Sequence, residues 1–322
     1  MSNDKHASDT YSAHHVRDRR IRLPHIRFHR RQLVDRPLAG EPHPGKPLHW
    51  KLYACEAVAT GILMIIGIVT NTLVLAPSSP LSSFLLGHPL LQTALAGFFF
   101  GSAGTLAAFT RFGKVSGAHL NPSITLAFML NKKIVPLDAL GYFFAQVVGA
   151  CGGTALVALL AVCFHPWARM VSSVNYVATL PTTHFSIWWS VLAELVLTLL
   201  LVLSIYWFAA HKRFRLITPW LGGFYFLVMN PIMAWITGDS TNFVRSLAPD
   251  IFSGNVPTLW VYLLGPLLGS ALAVLILKSD IFGKLHLMEA RIVNFGHHGR
   301  VPSLEEPEAV GPAPEVHKPV DS

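Results

Sequence analysis

Two asparagines in this chain stand where their chemistry is easiest to read. Asn121 precedes Pro122-Ser123 and an apolar run over residues 124–130, and Asn242 precedes Phe243-Val244 and a second run ending near Ser253. Asparagine is a strong helix N-cap: its side-chain oxygen accepts from a backbone N–H of the first turn, and its amide keeps two N–H donors for another partner. Pro122 suits the first helical position, where its missing N–H would have had nothing to bond. Arg245 lies one turn inside the second run, and Glu56 and Glu194 sit within long apolar stretches. No nucleophile–base pair and no metal-ligand spacing accompanies them, so no catalysis, cofactor or metal is expected. The chemistry on offer is hydrogen bonding and fixed charge in an apolar setting.

The elements that position these residues are unusual in length. The run after Asn121 stops at Asn131-Lys132-Lys133. It is about ten residues of helix, roughly 15 Å, half of a ~30 Å hydrocarbon core. Ser116-Gly117-Ala118-His119-Leu120 before it gives an extended, bendable entry. A short apolar helix with a polar cap predicts a re-entrant half-helix. Irregular backbone at that depth is tolerated only where protein shields it or water fills a cavity beside it. Gly238-Asp239-Ser240-Thr241 leads into Asn242 in the same way.

The surrounding chain is membrane-like. Of 322 residues, 52% are hydrophobic and only 13% charged, about half the charged share of a soluble domain. Charge-poor runs predict spans at 52–75, 90–112, 135–164, 185–210, 217–236 and 258–277 in an all-α membrane protein of six transmembrane helices and two half-helices. The formal charge of +8 is not a nucleic-acid signature, because eleven of the 25 Lys and Arg fall between Lys5 and Lys51. Basic residues lie before span one, between two and three, between four and five, and after six. The positive-inside rule then makes both termini cytoplasmic, in the plasma membrane by expectation. Residues 1–49 are expected to be a disordered basic tail, 50–280 the membrane domain, and 281–322 a second tail. The tail histidines match no zinc spacing. Cys55, Cys151 and Cys163 are odd in number and lie in or at apolar spans, so they read as inert thiols, not a disulfide framework.

The membrane domain repeats itself, with halves at about 50–164 and 185–280. Glu56 in span one answers to Glu194 in span four, Gly117 and Asn121 to Gly238 and Asn242, and Gly149 to Gly269. Three spans per half make the second half inverted, which places a functional site near the midplane at the discontinuous helices.

The stretch Ser116-Gly117-Ala118-His119-Leu120-Asn121-Pro122, with Asn242-x-x-Arg245-Ser246 and Gly265-Pro266-Leu267-Leu268-Gly269, resembles the aquaporin (major intrinsic protein) family over about residues 50–280. The resemblance implies a homotetramer in the lipid bilayer, each protomer a passive channel for water and other small uncharged solutes that excludes protons and ions. It implies that Asn121 and Asn242 meet at the pore centre as caps and donors, and that Arg245 belongs to an outer selectivity constriction. The carbonyls of Gly117-Ala118-His119 and Gly238-Asp239-Ser240 would line the lumen. Counting from the asparagines puts Asn230 and Asp239 at the other constriction positions, with Gly101 from span two, or Phe99 if the loop is longer by two. Glu56 and Glu194 are expected to tie down loop N–H groups.

Three departures from the family pattern matter. Asn121-Pro122-Ser123 replaces Asn-Pro-Ala with a small change, whereas Asn242-Phe243-Val244 loses the proline and gains a bulky ring. Asp239 stands where small residues are usual and is expected to pair with Arg245; with Asn230, it makes a more polar and wider constriction than a strict water filter. Ser246 stands where the glycerol subgroup has aspartate. The competing reading is a non-conducting scaffold or adhesion protein of the same fold, with Phe243 obstructing the pore.

Overall fold

The computed structural model describes residues 48–211, 213–214, 216–279 and 281; the expected tails, apart from their innermost residues, and Lys212 and Arg215 of the basic connector lie outside that set. The described residues form helices without strands. In chain order these are α1 (Trp50–Leu75), α2 (Pro80–Leu85), α3 (Pro89–Phe109), α4 (Arg111–Ser116), α5 (Pro122–Leu130), α6 (Pro136–Cys163), α7 (His165–Ser173), α8 (Ile187–Ala210), α9 (Leu221–Thr237), α10 (Phe243–Ser253) and α11 (Leu259–Lys278). Six segments are long and apolar enough to cross a membrane: α1, α3, α6, α8, Thr218–Thr237 and Val256–Lys278. The six expected spans are present.

Two boundaries differ from expectation. Span two ends at Phe109 because Thr110 turns extended, takes the Gly113 N–H on its hydroxyl and starts α4. The connector 165–184, outside the expected spans, carries a further helix, α7, whose buried Trp167 and Val171 face the protein.

Hydrocarbon offers no hydrophobic drive for helices to associate, so close packing of small residues must do it. Two glycines show how close. A Cβ on Gly149 of α6 would lie 2.1 Å from the Ala57 carbonyl of α1, and one on Gly269 of α11 would lie 2.3 Å from the Leu195 carbonyl of α8. These are equivalent contacts in the two halves.

The repeat extends to the backbone. Gly117, Ala118 and Leu120 have φ of 91°, 55° and 56°; Gly238, Asp239 and Thr241 have 79°, 52° and 54°. Tyr142 donates to the Ser116 carbonyl at 2.5 Å, and Tyr262 to the Thr237 carbonyl at 2.7 Å. Left-handed backbone costs non-glycine residues about 1–2 kcal/mol each, and each half ties the segment down with a tyrosine and a buried carboxylate.

Candidate pore and its constriction

The half-helices α5 and α10 present their N-termini to each other. Asn121 Oδ1 accepts from the Ser123 N–H at 2.8 Å, and Asn242 Oδ1 from the Val244 N–H at 3.2 Å. Each amide also reaches across: Asn121 Nδ2 donates to the Thr241 carbonyl at 2.9 Å, and Asn242 Nδ2 to the Leu120 carbonyl at 2.8 Å. This reciprocal clasp was not foreseen from sequence. It uses one N–H of each amide and leaves one for a guest. Beneath the clasp, Glu56 Oε1 accepts from the Leu120 N–H at 2.5 Å and from Gln146 Nε2 at 2.9 Å. Glu194 uses both oxygens, for the Ser240 N–H at 2.9 Å and the Thr241 N–H at 2.7 Å. Fully buried carboxylates are tolerable when they satisfy buried N–H groups in this way.

A cavity of about 350 Å³ has both clasp asparagines in its wall. Its wall includes Ile205, Thr218 and Pro219, the clasp residues Asn121 and Asn242, and Asn71, Thr93 and Ala178. Ala118, His119, Gly238, Asp239 and Ser240 also line it; Gly117, Pro122, Ser123, Phe243 and Val244 do not. Pro122 is the first residue of α5, and the Ser123 carbonyl accepts from Ser270 Oγ at 2.6 Å. His119 Nδ1 meets Thr125 Oγ1 at 3.1 Å, which turns its ring against Tyr142 and away from a free role.

Arg245 lines the cavity and is only 8% exposed. Its Nη1 donates to the Val177 carbonyl at 2.9 Å. The ring lying over its guanidinium, 4.4 Å from Cζ, is that of Phe100, neither of the two span-two positions expected. A helix turns about 100° per residue, so a one-residue difference in the loop changes which side chain faces Arg245. Gly101 does line the cavity, but a Cβ there would meet the Gly222 carbonyl at 2.3 Å, so it serves the α3–α9 crossing. Phe99 packs with Val74, Leu85 and Ala96. Asn230 lines the cavity and donates to the Thr93 carbonyl at 2.8 Å.

Asp239 corrects an expectation. It is buried, its carboxylate oxygens have no hydrogen-bond partner, and it forms no ion pair with Arg245. The arginine's partner is instead a backbone carbonyl from a strained turn: Asn175, Tyr176 and Val177 have φ of 50°, 55° and 60°. Tyrosine and valine carry no sequence signal for left-handed backbone, so this contact was missed; so was Asn71, a helical residue of α1 in the cavity wall.

Phe243 also departs from the obstruction reading. Its ring stacks on Phe143 of α6, with centroids 6.3 Å apart and planes 13° from parallel. It fills the seam between α10 and α6 and is absent from the cavity wall. Phe243→Ala is therefore expected to leave osmotic water permeability within about twofold of the parent. The same change should lower stability by about 3 kcal/mol or less, the large-to-small cost for a partly exposed ring. A permeability rise of tenfold or more in reconstituted vesicles would mean the ring blocks the path.

Residues 45–277 match the family model described as major intrinsic protein. The chain is 32% identical to the lens fiber major intrinsic protein of Oryctolagus cuniculus over 208 residues, covering 63% of this chain and 74% of the relative. It is 31% identical to the glycerol uptake facilitator protein-like 6 of Lactiplantibacillus plantarum over 234 residues, covering 69% and 94%. Among solved structures, the aquaglyceroporin from Plasmodium falciparum superposes with a TM-score of 0.58 at 21% identity, covering 72% of this chain and 96% of that one. That last likeness concerns the fold alone.

Proposed function

The chain belongs to the major intrinsic protein family, and from that premise we propose that it conducts water and other small uncharged solutes passively while holding back protons and ions. The family's members are channels, not enzymes. One observation carries the reading: the asparagine amides at the tips of the two half-helices each donate to a backbone carbonyl of the opposite half, beside one cavity. Each half-helix N-terminus contributes about +0.5 elementary charge. Opposed half-helix dipoles are a recognised means of excluding cations and protons in aquaporin-type pores. A water accepting from the remaining N–H of both amides has its oxygen committed, so it cannot also relay a proton along the file.

The outer constriction sets what else passes. Arg245, Phe100 and Asn230 are its proposed walls, with Asn71 opposite, and the Val177 carbonyl fixes the arginine. Asn71 and Asn230 bring amides to a place where a strict water filter would be tighter and less polar. Homotetramer assembly and cytoplasmic termini complete the reading. Purified protein in liposomes, challenged with inward gradients of glycerol, urea, ammonia and peroxide, tests the solute range. At least one of them is expected to enter faster than in protein-free vesicles. If water alone crosses, the wider constriction is wrong.

A further inference from the structure

Five carboxylates occur among the described residues, Glu56, Asp138, Glu194, Asp239 and Asp250, and all are buried. Every exposed charged side chain described is therefore a cation. Because the six spans cross alternately, Lys51, Arg111, Lys132, Arg213 and Lys278 all emerge at one end, and Arg169 emerges at the other.

Among the described residues, no exposed carboxylate faces this rim. Asp138, six residues past Lys132, is fully buried and already accepts from Tyr53 Oη at 2.5 Å and contacts His49 Nδ1 at 2.7 Å. Arg111 lies over the Phe112 ring, 4.7 Å from its centroid. Lys278 Nζ donates to the Leu130 carbonyl at 3.0 Å, which brings the end of α11 onto the end of α5, two residues from Lys132. The two helices packed on α5 carry exposed apolar side chains near these lysines in sequence: Leu137 on α6, five residues past Lys132, and Leu275 on α11, three residues before Lys278. Trp50 is exposed at the same end, where amphipathic rings settle at headgroup level.

We propose that this rim binds anionic phospholipid, with the phosphate taken by Lys132 and Lys278 and the acyl chain lying on Leu137 and Leu275. A cationic pair capping an apolar face matches an amphiphile, whereas a soluble polyanion would use the charge and leave the leucines uncovered. The inference rests on the six spans and is independent of what the cavity conducts. A cation close to an anionic leaflet favours it by roughly fivefold per Lys or Arg.

The test is lipid retention by the full chain, extracted from vesicles of equal phosphatidylglycerol and phosphatidylcholine and analysed by native mass spectrometry. Phosphatidylglycerol is expected to be retained at least about fivefold over phosphatidylcholine. That preference should fall toward unity in Lys132→Gln/Lys278→Gln and stay unchanged in Arg169→Gln. Because the Lys278 contact also caps α5, Lys132→Gln alone serves as the milder variant and should reduce the preference several-fold. Equal retention of the two lipids by the parent would overturn the proposal. So would an undiminished preference in both lysine variants, or release of the lipid by inorganic phosphate but not by chloride of equal ionic strength.

Discussion

Glu194→Gln is expected to destabilise this protein far more than Glu56→Gln, although the two carboxylates occupy equivalent places in the repeat. Glu194 holds two backbone donors on two different oxygens. Its amide replacement can keep one and must turn an NH₂ toward the other. A buried N–H left without a partner costs about 1–3 kcal/mol, and the facing donors add repulsion. Glu56 holds its two donors on a single oxygen, and its Oε2 has no hydrogen-bond partner. Glutamine there can retain both contacts, so the cost reduces to exchanging charge-assisted bonds for neutral ones, about 1 kcal/mol. Glu194→Ala removes both acceptors and opens a cavity, for roughly 3–6 kcal/mol, comparable with the whole stability of many domains. Thermal unfolding of the three variants in one detergent gives the order directly. Equal losses for the two glutamine variants would mean that the carboxylates are not held as described.

The second large effect concerns the clasp. Asn121→Asp and Asn242→Asp, made together, keep both helix caps, since a carboxylate oxygen can still accept from Ser123 and Val244. They remove both cross-donations to Thr241 and Leu120 and set two carboxylates against opposing carbonyls. Each lost hydrogen bond is about 1 kcal/mol, and the midplane changes sign. Water permeability is expected to fall at least about tenfold, the factor that ~1.4 kcal/mol represents. Whatever conduction remains should admit cations that the parent excludes. The paired alanine variant separates the effects, losing caps and donors without adding charge. It should lose conduction without gaining a cation leak. Stopped-flow light scattering and a potassium-dependent membrane potential read the two outcomes.

How much of this was legible in the sequence follows from the range of the forces involved. The caps were legible because an N-cap is a local bond: Asn121 and Asn242 accept from residues two positions on. The spans and the repeat were legible because hydrocarbon depth imposes length and apolarity on every crossing. The clasp was not, because Thr241 and Leu120 join it from 120 or more residues away. Phe100 was missed by one residue, since counting along the chain cannot see that α3 ends at Phe109 and α4 begins after the Thr110 cap. The Val177 carbonyl was invisible because Tyr176 and Val177 disfavour the left-handed turn that tertiary contacts impose. Asp239 was expected to pair with Arg245 because opposite charges six residues apart suggest it, yet the guanidinium donates to the Val177 carbonyl, contributed by a turn 68 residues away. Phe243 looked like an obstruction only while Phe143, its stacking partner, was a distant position in span three.

The most direct test of two opposed half-helices beside a wet path is one vesicle preparation read two ways. Osmotic shrinkage and the decay of an imposed pH gradient are followed on the same proteoliposomes, with protein-free vesicles alongside. Shrinkage well above the protein-free rate, with no faster decay of the pH gradient, is the predicted result. Shrinkage no faster than bare lipid, or a proton leak that rises together with water flow, would contradict it.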